Sequence, residues 1–410
     1  MAGTLSPFET GPVMARSSPS PAQLVRGAKT AWGLLGKLPR GPRYALLAAI
    51  VLVGVGVLIV NRPPGVVGPG PTPETPETVA ATGLNADGTG TFFFAFWNVE
   101  NLFDDKDDKR RSVDEEFDNP FADNDKMRQE KLDHLANILL AMNGGQGPDV
   151  IACCEVESVR AADLLKATLN RHLDDAKADP KLKYTQVVMK NLDAGRHIAP
   201  CIITRLNVSH GFTRLHGGNL RILEGRLFVN GHELIVIASH WTSQLKQRDG
   251  SDGDSGREKY ADTIYALIDR TVQKNPKADV LVCGDFNDTP DSDPVVKGLH
   301  ATGDRAQVKP TDREPRVLDL MAGKNPANFG TIWYGGKPLI YDHICVSPGM
   351  LDGEGWGVDP DSVQTYTKGL TRGTRREPWR FGSPNSAPVG GRGYSDHFPV
   401  TVTLKLAAKK

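Results

Sequence analysis

No sign of charge predominates in this chain. Its 410 residues carry 49 Lys and Arg against 49 Asp and Glu. Residues 1–89 hold seven of the basic and four of the acidic residues, which leaves 42 and 45 in the remainder, a net of −3. Proteins that coat polyanions without sequence preference are basic. The balance therefore argues against nucleic-acid packaging, and any contact with a polyanion must be local. Cysteine is scarce as well. The five, Cys153, Cys154, Cys201, Cys283 and Cys345, show no CxxC or CxxH spacing, which argues against a zinc site. Each lies in or beside an apolar run and reads as a small buried hydrophobe. An odd number provides no disulfide framework. Internal repeats are absent. What is present is ordinary for a globular protein with a real core: 39% hydrophobic and 24% charged residues.

Long apolar runs are also missing, with one exception. Tyr44 to Val60 is apolar throughout its 17 residues, with Arg43 before it and Arg62 soon after. At about 1.5 Å per residue a helix there spans roughly 25 Å, the short end of what a bilayer needs. The run predicts a single membrane helix over 44–60. No clear A-x-A site follows, which argues against a cleaved signal peptide. Before the run, residues 1–22 are rich in Ser, Pro and Gly and read as disordered, and 23–38 place apolar residues at helical spacing among basic ones. Arg16, Arg26, Lys29, Lys37, Arg40 and Arg43 precede the span, and only Arg62 follows closely. By the positive-inside rule residues 1–43 stay in the cytoplasm and the C-terminal bulk lies outside it, periplasmic or extracellular. Residues 61–90 are Pro-, Gly- and Thr-rich and read as a semi-extended tether.

From 91 to 406 the pattern is that of one large α/β unit. Strands are expected at Thr91–Asn98, Asp149–Cys154, Tyr184–Met189, Ile198–Thr204, Leu220–Val229, Glu233–Ser239, Val280–Cys283, Ile344–Val346 and Val400–Leu406. Asn230-Gly231 marks a hairpin between two of them. Helices are expected at Lys126–Met142, Ala161–His172 and Arg257–Val272. Hairpins mixed with strand–helix–strand units suggest two packed sheets covered by helices.

Several of the apolar runs end on polar side chains. Asn98 follows the first, Glu155 the second, His240 the run Leu234 to Ala238, and Asp285 the run at Val280. Asn287 lies two residues beyond Asp285, and Asp396 and His397 stand just before the last strand. Magnesium takes oxygen ligands and keeps several waters, so one or two carboxylates with an amide suit it. Glu155 and Asn98 fit that role, with Asp396 as a further ligand. Phosphodiester cleavage needs an activated water and stabilised charge on the phosphate. Asp285 can orient or deprotonate the water, and Asn287 can donate to a phosphate oxygen. His397 can act on phosphate or water, oriented by Asp396 or by a carboxylate from elsewhere such as Asp285. His240 is a second candidate for phosphate contact or leaving-group protonation. In Asn191–Ile198, Arg196 and His197 are candidates for substrate contact.

Six strings, WNVENLF, CCEVE, ASHWTS, GDFND, YDHICVS and GYSDHFPV, resemble in this order those of the endonuclease/exonuclease/phosphatase superfamily, the deoxyribonuclease-I-like fold. The resemblance covers residues 92–404 and implies a four-layer α/β/β/α sandwich with the site at one edge of the paired sheets. It implies Asn98 and Glu155 as the metal-binding pair and Asp285 and Asn287 as water-orienting and phosphate-contacting residues. It further implies Asp396-His397 as a closing catalytic pair, His240 as a further catalytic histidine and Asp342 as a supporting carboxylate.

Together these readings lead us to expect a membrane-anchored, Mg²⁺-dependent phosphoesterase, with Mn²⁺ as an alternative ion. Its first expected substrate is DNA or RNA. The alternative is a phosphatase or phospholipase C-type enzyme acting on lipid or inositol phosphates, and a catalytically inactive tethered module is a third reading. Nothing points to a protein partner. The charged stretch 104–125 reads as a solvated loop. Lys246–Gly256 lacks the glycine-at-six and glutamate-at-twelve pattern of a calcium loop and reads as flexible.

Overall fold

The computed structural model describes residues 83–110, 114–244, 253–310 and 313–408. The expected leader, the apolar run 44–60 and residues 61–82 of the tether lie outside these residues, as do positions 246–252. Among the described residues no helix is long and apolar enough to cross a membrane.

In chain order the strands are β1 (Gly90–Leu102), β2 (Val150–Val156), β3 (Gln186–Val188), β4 (Ala199–Thr204), β5 (Asn207–Val208), β6 (Arg214–Leu215), β7 (Ile222–Val229), β8 (His232–His240), β9 (Val280–Asp285), β10 (Ala301–Thr302), β11 (Val317–Asp319), β12 (Ile332–Tyr334), β13 (Lys337–Leu339), β14 (Asp342–Val346), β15 (Trp356–Thr365), β16 (Thr371–Arg372), β17 (Glu377–Pro378) and β18 (Val400–Leu406). One sheet has six strands in the order β15-β18-β1-β2-β4-β3. The other has eight, ordered β10-β11-β14-β9-β8-β7-β5 with β6 beside β7. β12–β13 and β16–β17 are separate two-stranded hairpins.

The central strands are apolar on both faces because both faces are covered. On β1, Phe92, Phe94 and Phe96 point into a core shared with Leu234, Val236 and Ala238 of β8 and Leu281 and Cys283 of β9. That core lies between the two sheets. The alternate residues Ala95, Trp97 and Val99 face the other way. They pack against Leu132, Leu135 and Leu139 of helix α2 (Asp125–Ala141) and Leu165 and Leu169 of helix α3 (Val159–Asp175). On the second sheet, Ile235, Ile237, Val280 and Val282 meet Ile264, Leu267 and Ile268 of helix α4 (Asp254–Lys274). Helices thus cover the outer face of each sheet. All five cysteines are buried and free.

The charged stretch 104–125 departs from its reading as a solvated loop. Residues Glu115–Asp123 form helix α1, which presses Phe117 and Phe121 against Phe103. Asp104, Asp114 and Asp118 are buried. Their carboxylates accept from backbone and side-chain donors close by: Asp118 from the backbone N–H groups of Asp108 and Arg110, Asp104 from the Ser158 hydroxyl. A high density of charge concealed two aromatic anchors four residues apart, which is helical spacing.

Candidate active site

Strand register assembles the centre of the site. β8 runs parallel to β9 with His240 opposite Asp285, and β14 runs antiparallel to β9 with Asp342 opposite Asp285. Asp285 therefore ends its strand with a histidine on one side and a carboxylate on the other. On the facing sheet β1 and β2 are parallel, with Asn98 opposite Cys154, so that Glu155 comes next along the edge. Glu100, Asn101, Glu155 and Asn287 all have positive φ, between 49° and 63°. Non-glycine residues rarely adopt that region, and such strain gathers at sites that the surrounding fold holds in place.

Asp285 Oδ2 is the hub. Asn98 Nδ2 donates to it at 3.0 Å, bridging the two sheets. His240 Nε2 lies 3.6 Å away and His397 Nε2 3.7 Å away. The other oxygen, Oδ1, accepts from the Asn287 backbone N–H at 2.9 Å. Burial above all, with the Asp342 charge adding to it, pushes the Asp285 pKa up to about 7, against the lowering pull of His397 and Asn98. Glu155 Oε1 accepts from Asn98 Nδ2 at 3.3 Å, and Oε2 from the Asn101 backbone at 3.1 Å. Asn98 thus turns its amide nitrogen toward both carboxylates, while its oxygen accepts from the Glu100 N–H at 3.0 Å. Turning the amide over would set NH₂ against N–H. In this arrangement the Asn98 amide nitrogen bridges the two carboxylates, and its oxygen, which accepts one hydrogen bond, keeps a second lone pair.

The two histidines are held differently. His397 Nδ1 donates to Asp342 Oδ2 at 2.7 Å. Its carbonyl accepts from the Trp97 indole at 2.9 Å, and its N–H donates to Ser395 Oγ at 3.1 Å. The carboxylate paired with His397 is therefore Asp342, neither Asp396 nor Asp285. Burial lowers the His397 pKa, but the Asp342 and Asp285 charges and the Asp342 hydrogen bond outweigh it and raise the pKa well above the ordinary value. His240 has no carboxylate at Nδ1. Arg221 Nη1 lies there at 3.0 Å, and the guanidinium is held through Nε by the Tyr260 hydroxyl and through Nη2 by the Trp241 carbonyl. A guanidinium can only donate, so His240 Nδ1 is the acceptor and Nε2 carries the proton. Burial first, then the Arg221 charge, pushes the His240 pKa well below its ordinary value.

Asp396 pairs with an arginine and not with His397. Its Oδ2 pairs with Arg380 at 3.2 Å, and Arg380 also contacts Glu100 Oε1 at 2.8 Å. Burial, together with the Glu100 and Glu155 charges, raises the Asp396 pKa to about 6 against the opposing effect of His397 and Arg380. Asn287 lines the cleft and donates its side-chain amide to the Trp241 carbonyl at 3.3 Å.

A cleft of about 770 Å³ opens over these groups. Glu155, His240, Asp285, Asn287, Asp396 and His397 are in its wall, along with Arg196 and the aromatic residues Tyr260, Trp333, Tyr334 and Tyr341. Arg196 reaches the cleft, but Asp114 and Asn101 hold its guanidinium at 2.7 and 2.6 Å. His197 is exposed and is not in the cleft wall. Arg221 and Arg380 also line the cleft, and the sequence reading passed over both. Neither belongs to one of the six strings, and a lone arginine beside an apolar run carries no signal of its own.

Donor atoms of Asp285, Asp342 and His397 lie within 4.8 Å of one another, a spacing that could hold a metal ion. The Asp342 and Asp285 charges bias His397 toward its cationic form, however, and an imidazolium offers no lone pair to a metal, so this trio is better suited to proton and charge management. Glu155 and Asp396 keep the more open positions. Asp396, whose pKa is raised by burial and by the neighbouring Glu100 and Glu155 charges, is part of the crowded charge pattern that a hard divalent cation relieves.

The profile of the Endonuclease/Exonuclease/phosphatase family matches residues 93–179 and 212–406. Among curated protein sequences there is no match. Similar solved structures include an endonuclease/exonuclease/phosphatase family protein from Bacteroides thetaiotaomicron, 14% identical over 78% of this chain and 100% of that one, with a TM-score of 0.47. Truncated TDP2 from Caenorhabditis elegans is 15% identical over 77% of this chain and 98% of its own, with a TM-score of 0.43. Sphingomyelinase C from Streptomyces griseocarneus is 14% identical over 76% and 99%, with a TM-score of 0.44. By its profile match over more than half its length, the chain belongs to the endonuclease/exonuclease/phosphatase family of phosphoester hydrolases.

Proposed function

We propose that the chain is a divalent-metal-assisted phosphodiesterase that hydrolyses nucleic acid outside the cytoplasm, tethered through residues 44–60. The observation that carries the chemistry is the convergence of Asn98, His240 and His397 on one oxygen of Asp285, within 3.7 Å. Asp285 accepts the proton of the attacking water, whose oxygen bonds to phosphorus as the bond to the leaving oxygen breaks, and the leaving oxygen takes up a proton from solvent in the open cleft. His397 opposes the charge that builds on the phosphate, held in its cationic form by Asp342. His240 offers a fixed N–H to a non-bridging oxygen, and Asn287 offers a second donor. Glu155 and Asp396 would hold the cation, Mg²⁺ or Mn²⁺, which supplies further positive charge to the phosphate and the leaving oxygen.

Arginines and aromatic rings in the cleft wall support a nucleic-acid substrate, since bases stack on rings and phosphates pair with guanidinium groups. Cleft size supports a second reading. About 770 Å³ is within the range of small-molecule sites, which suits a lipid or inositol phosphate. Purified full-length protein in detergent should be offered plasmid, RNA, sphingomyelin and inositol phosphates, with Mg²⁺, with Mn²⁺ and with EDTA. Cleavage of plasmid or RNA that EDTA abolishes is the expected result. Release of phosphocholine or inorganic phosphate with both nucleic acids left intact would replace this reading by the second. In the same assay Glu155→Ala should lower turnover by about a thousandfold or more while the protein stays folded.

A further inference from the structure

A second depression, of about 400 Å³, adjoins the cleft and shares Glu377, Pro378 and Arg380 with it. Its remaining wall is the β16–β17 hairpin and the residues around it, including Arg372, Arg375 and Trp379. The run TRGTRREPWR, residues 371–380, concentrates four arginines in ten positions, in a domain whose overall charge is slightly negative. Three of the four line the depression. All four are exposed. Arg372 lies over the Trp379 ring at 5.9 Å, and among the described residues no acid pairs with it. Arg375 is paired only loosely, with Glu377 at 3.5 Å and with 68% of its side chain exposed.

The hairpin is fastened to the catalytic segment. Trp379 and Arg380 carbonyls accept from the Tyr394 and Gly393 N–H groups at 2.5 and 2.9 Å. A Cβ on Gly393 would come within 2.0 Å of the Trp379 carbonyl, so only glycine permits this approach. Asp396 and His397 follow two to four residues later. The backbone therefore fixes where the basic groove stands relative to the reacting centre.

We propose that this arginine-lined groove binds the phosphates of a nucleic-acid strand on one side of the scissile bond, as an extension of the cleft. The inference rests on the nucleic-acid reading above and adds to it a place and a direction for the strand. Exposed, weakly paired guanidinium groups pay little desolvation when a phosphate displaces water, and each neutralised phosphate releases counterions. A concave path continuous with the cleft fits a strand better than it fits a flat bilayer surface.

The test measures binding apart from turnover. Full-length protein and its Arg372→Ala/Arg375→Ala variant are titrated in EDTA with fluorescein-labelled single-stranded DNA, a dinucleotide and a 12-mer, across a range of salt. Wild type should bind the 12-mer far more tightly than the dinucleotide. The variant should lose most of that gain, about tenfold in 12-mer affinity, and its salt slope should fall by about 1.4 for two phosphate contacts. Equal 12-mer affinity and slope in the two proteins would overturn the groove, even if wild type cleaves nucleic acid. Binding that follows the two arginines, in a protein that cleaves only lipid or inositol phosphates, would refute the nuclease reading and overturn the placement of the strand beside a scissile bond. A third arm uses vesicles with and without anionic lipid. If the variant loses vesicle binding and keeps its 12-mer affinity, the groove is a membrane contact and the proposal fails.

Discussion

Two histidines stand on opposite sides of Asp285, at 3.6 and 3.7 Å, and they are different reagents. His397 has a buried carboxylate at its far nitrogen, and His240 has a guanidinium there. The first is biased toward the cation and the second toward the neutral ring with its proton on Nε2. Residue type and distance to the centre are the same for both. The difference comes from the group behind each ring, supplied by β14 for one and by the residue just before β7 for the other. Charge at a reaction centre is thus set by residues that never touch the substrate's phosphorus.

Removing His397 should cause the largest loss that this comparison predicts. His397→Ala should lower kcat by about a thousandfold while metal affinity in a calorimetric titration stays near wild type, because the ring acts on charge and is not among the proposed ligands. Metal affinity lost in parallel would mean that the ring is a ligand. Asp342→Asn should cost somewhat less, about a hundredfold, and it should leave a mark in the pH profile. Without the carboxylate the His397 pKa falls, so the alkaline limb of kcat/KM should move to lower pH. The acid limb, near 7 where Asp285 must lose its proton, should stay or also move down, since a raising charge has been removed. An alkaline limb that stays in place would remove His397 from the cationic role.

Glutamine sharpens the contrast. It can donate an N–H but cannot carry a proton charge. His240→Gln should therefore keep much of the activity, within about tenfold of wild type, whereas His240→Ala should fall by about a hundredfold. His397→Gln should be no better than His397→Ala. Equal rescue at both positions would show that the two rings do the same work.

How far the sequence discloses this site follows from the same distinction. Asn98, Glu155, His240, Asp285 and His397 were legible because each closes or adjoins an apolar run, and a buried strand delivers its end residue to the sheet edge. What stands behind each ring was not legible locally. Asp342 faces Asp285 only through the β14–β9 register, between residues 57 positions apart in the chain. Resemblance named Asp342 as a supporting carboxylate, while the residues alone suggested Asp396 or Asp285 as the partner of His397. Arg221 and Arg380 lie outside the recurrent strings, and nothing in their flanking residues marks the turn that brings them in. Helix α1 stayed hidden because its acidic residues outnumber Phe117 and Phe121, although those two decide its packing.

A third acid shows that a shifted pKa alone does not identify a reaction centre. Asp279 is buried at the opposite end of β9, where burial pushes its pKa up to about 7, like that of Asp285. Its Oδ2 accepts from the Trp356 N–H at 2.7 Å, and its Oδ1 has no partner. It lines neither the cleft nor the depression beside it. Folded protein keeps this proton up to about pH 7, whereas the unfolded chain releases it near 3.8. Between those values the folded state binds more protons, so stability falls as pH rises, at up to about 1.4 kcal/mol per pH unit. Asp279→Asn can still accept from Trp356 and has no charge to bury. Its thermal midpoint should therefore decline less than that of wild type from pH 4 to pH 8, with turnover unchanged. A midpoint that falls as steeply in the variant would show that Asp279 ionises freely in the fold. Unchanged turnover beside a changed pH–stability curve would separate the two acids by function, because only Asp285 has both a cleft in front of it and two rings beside it.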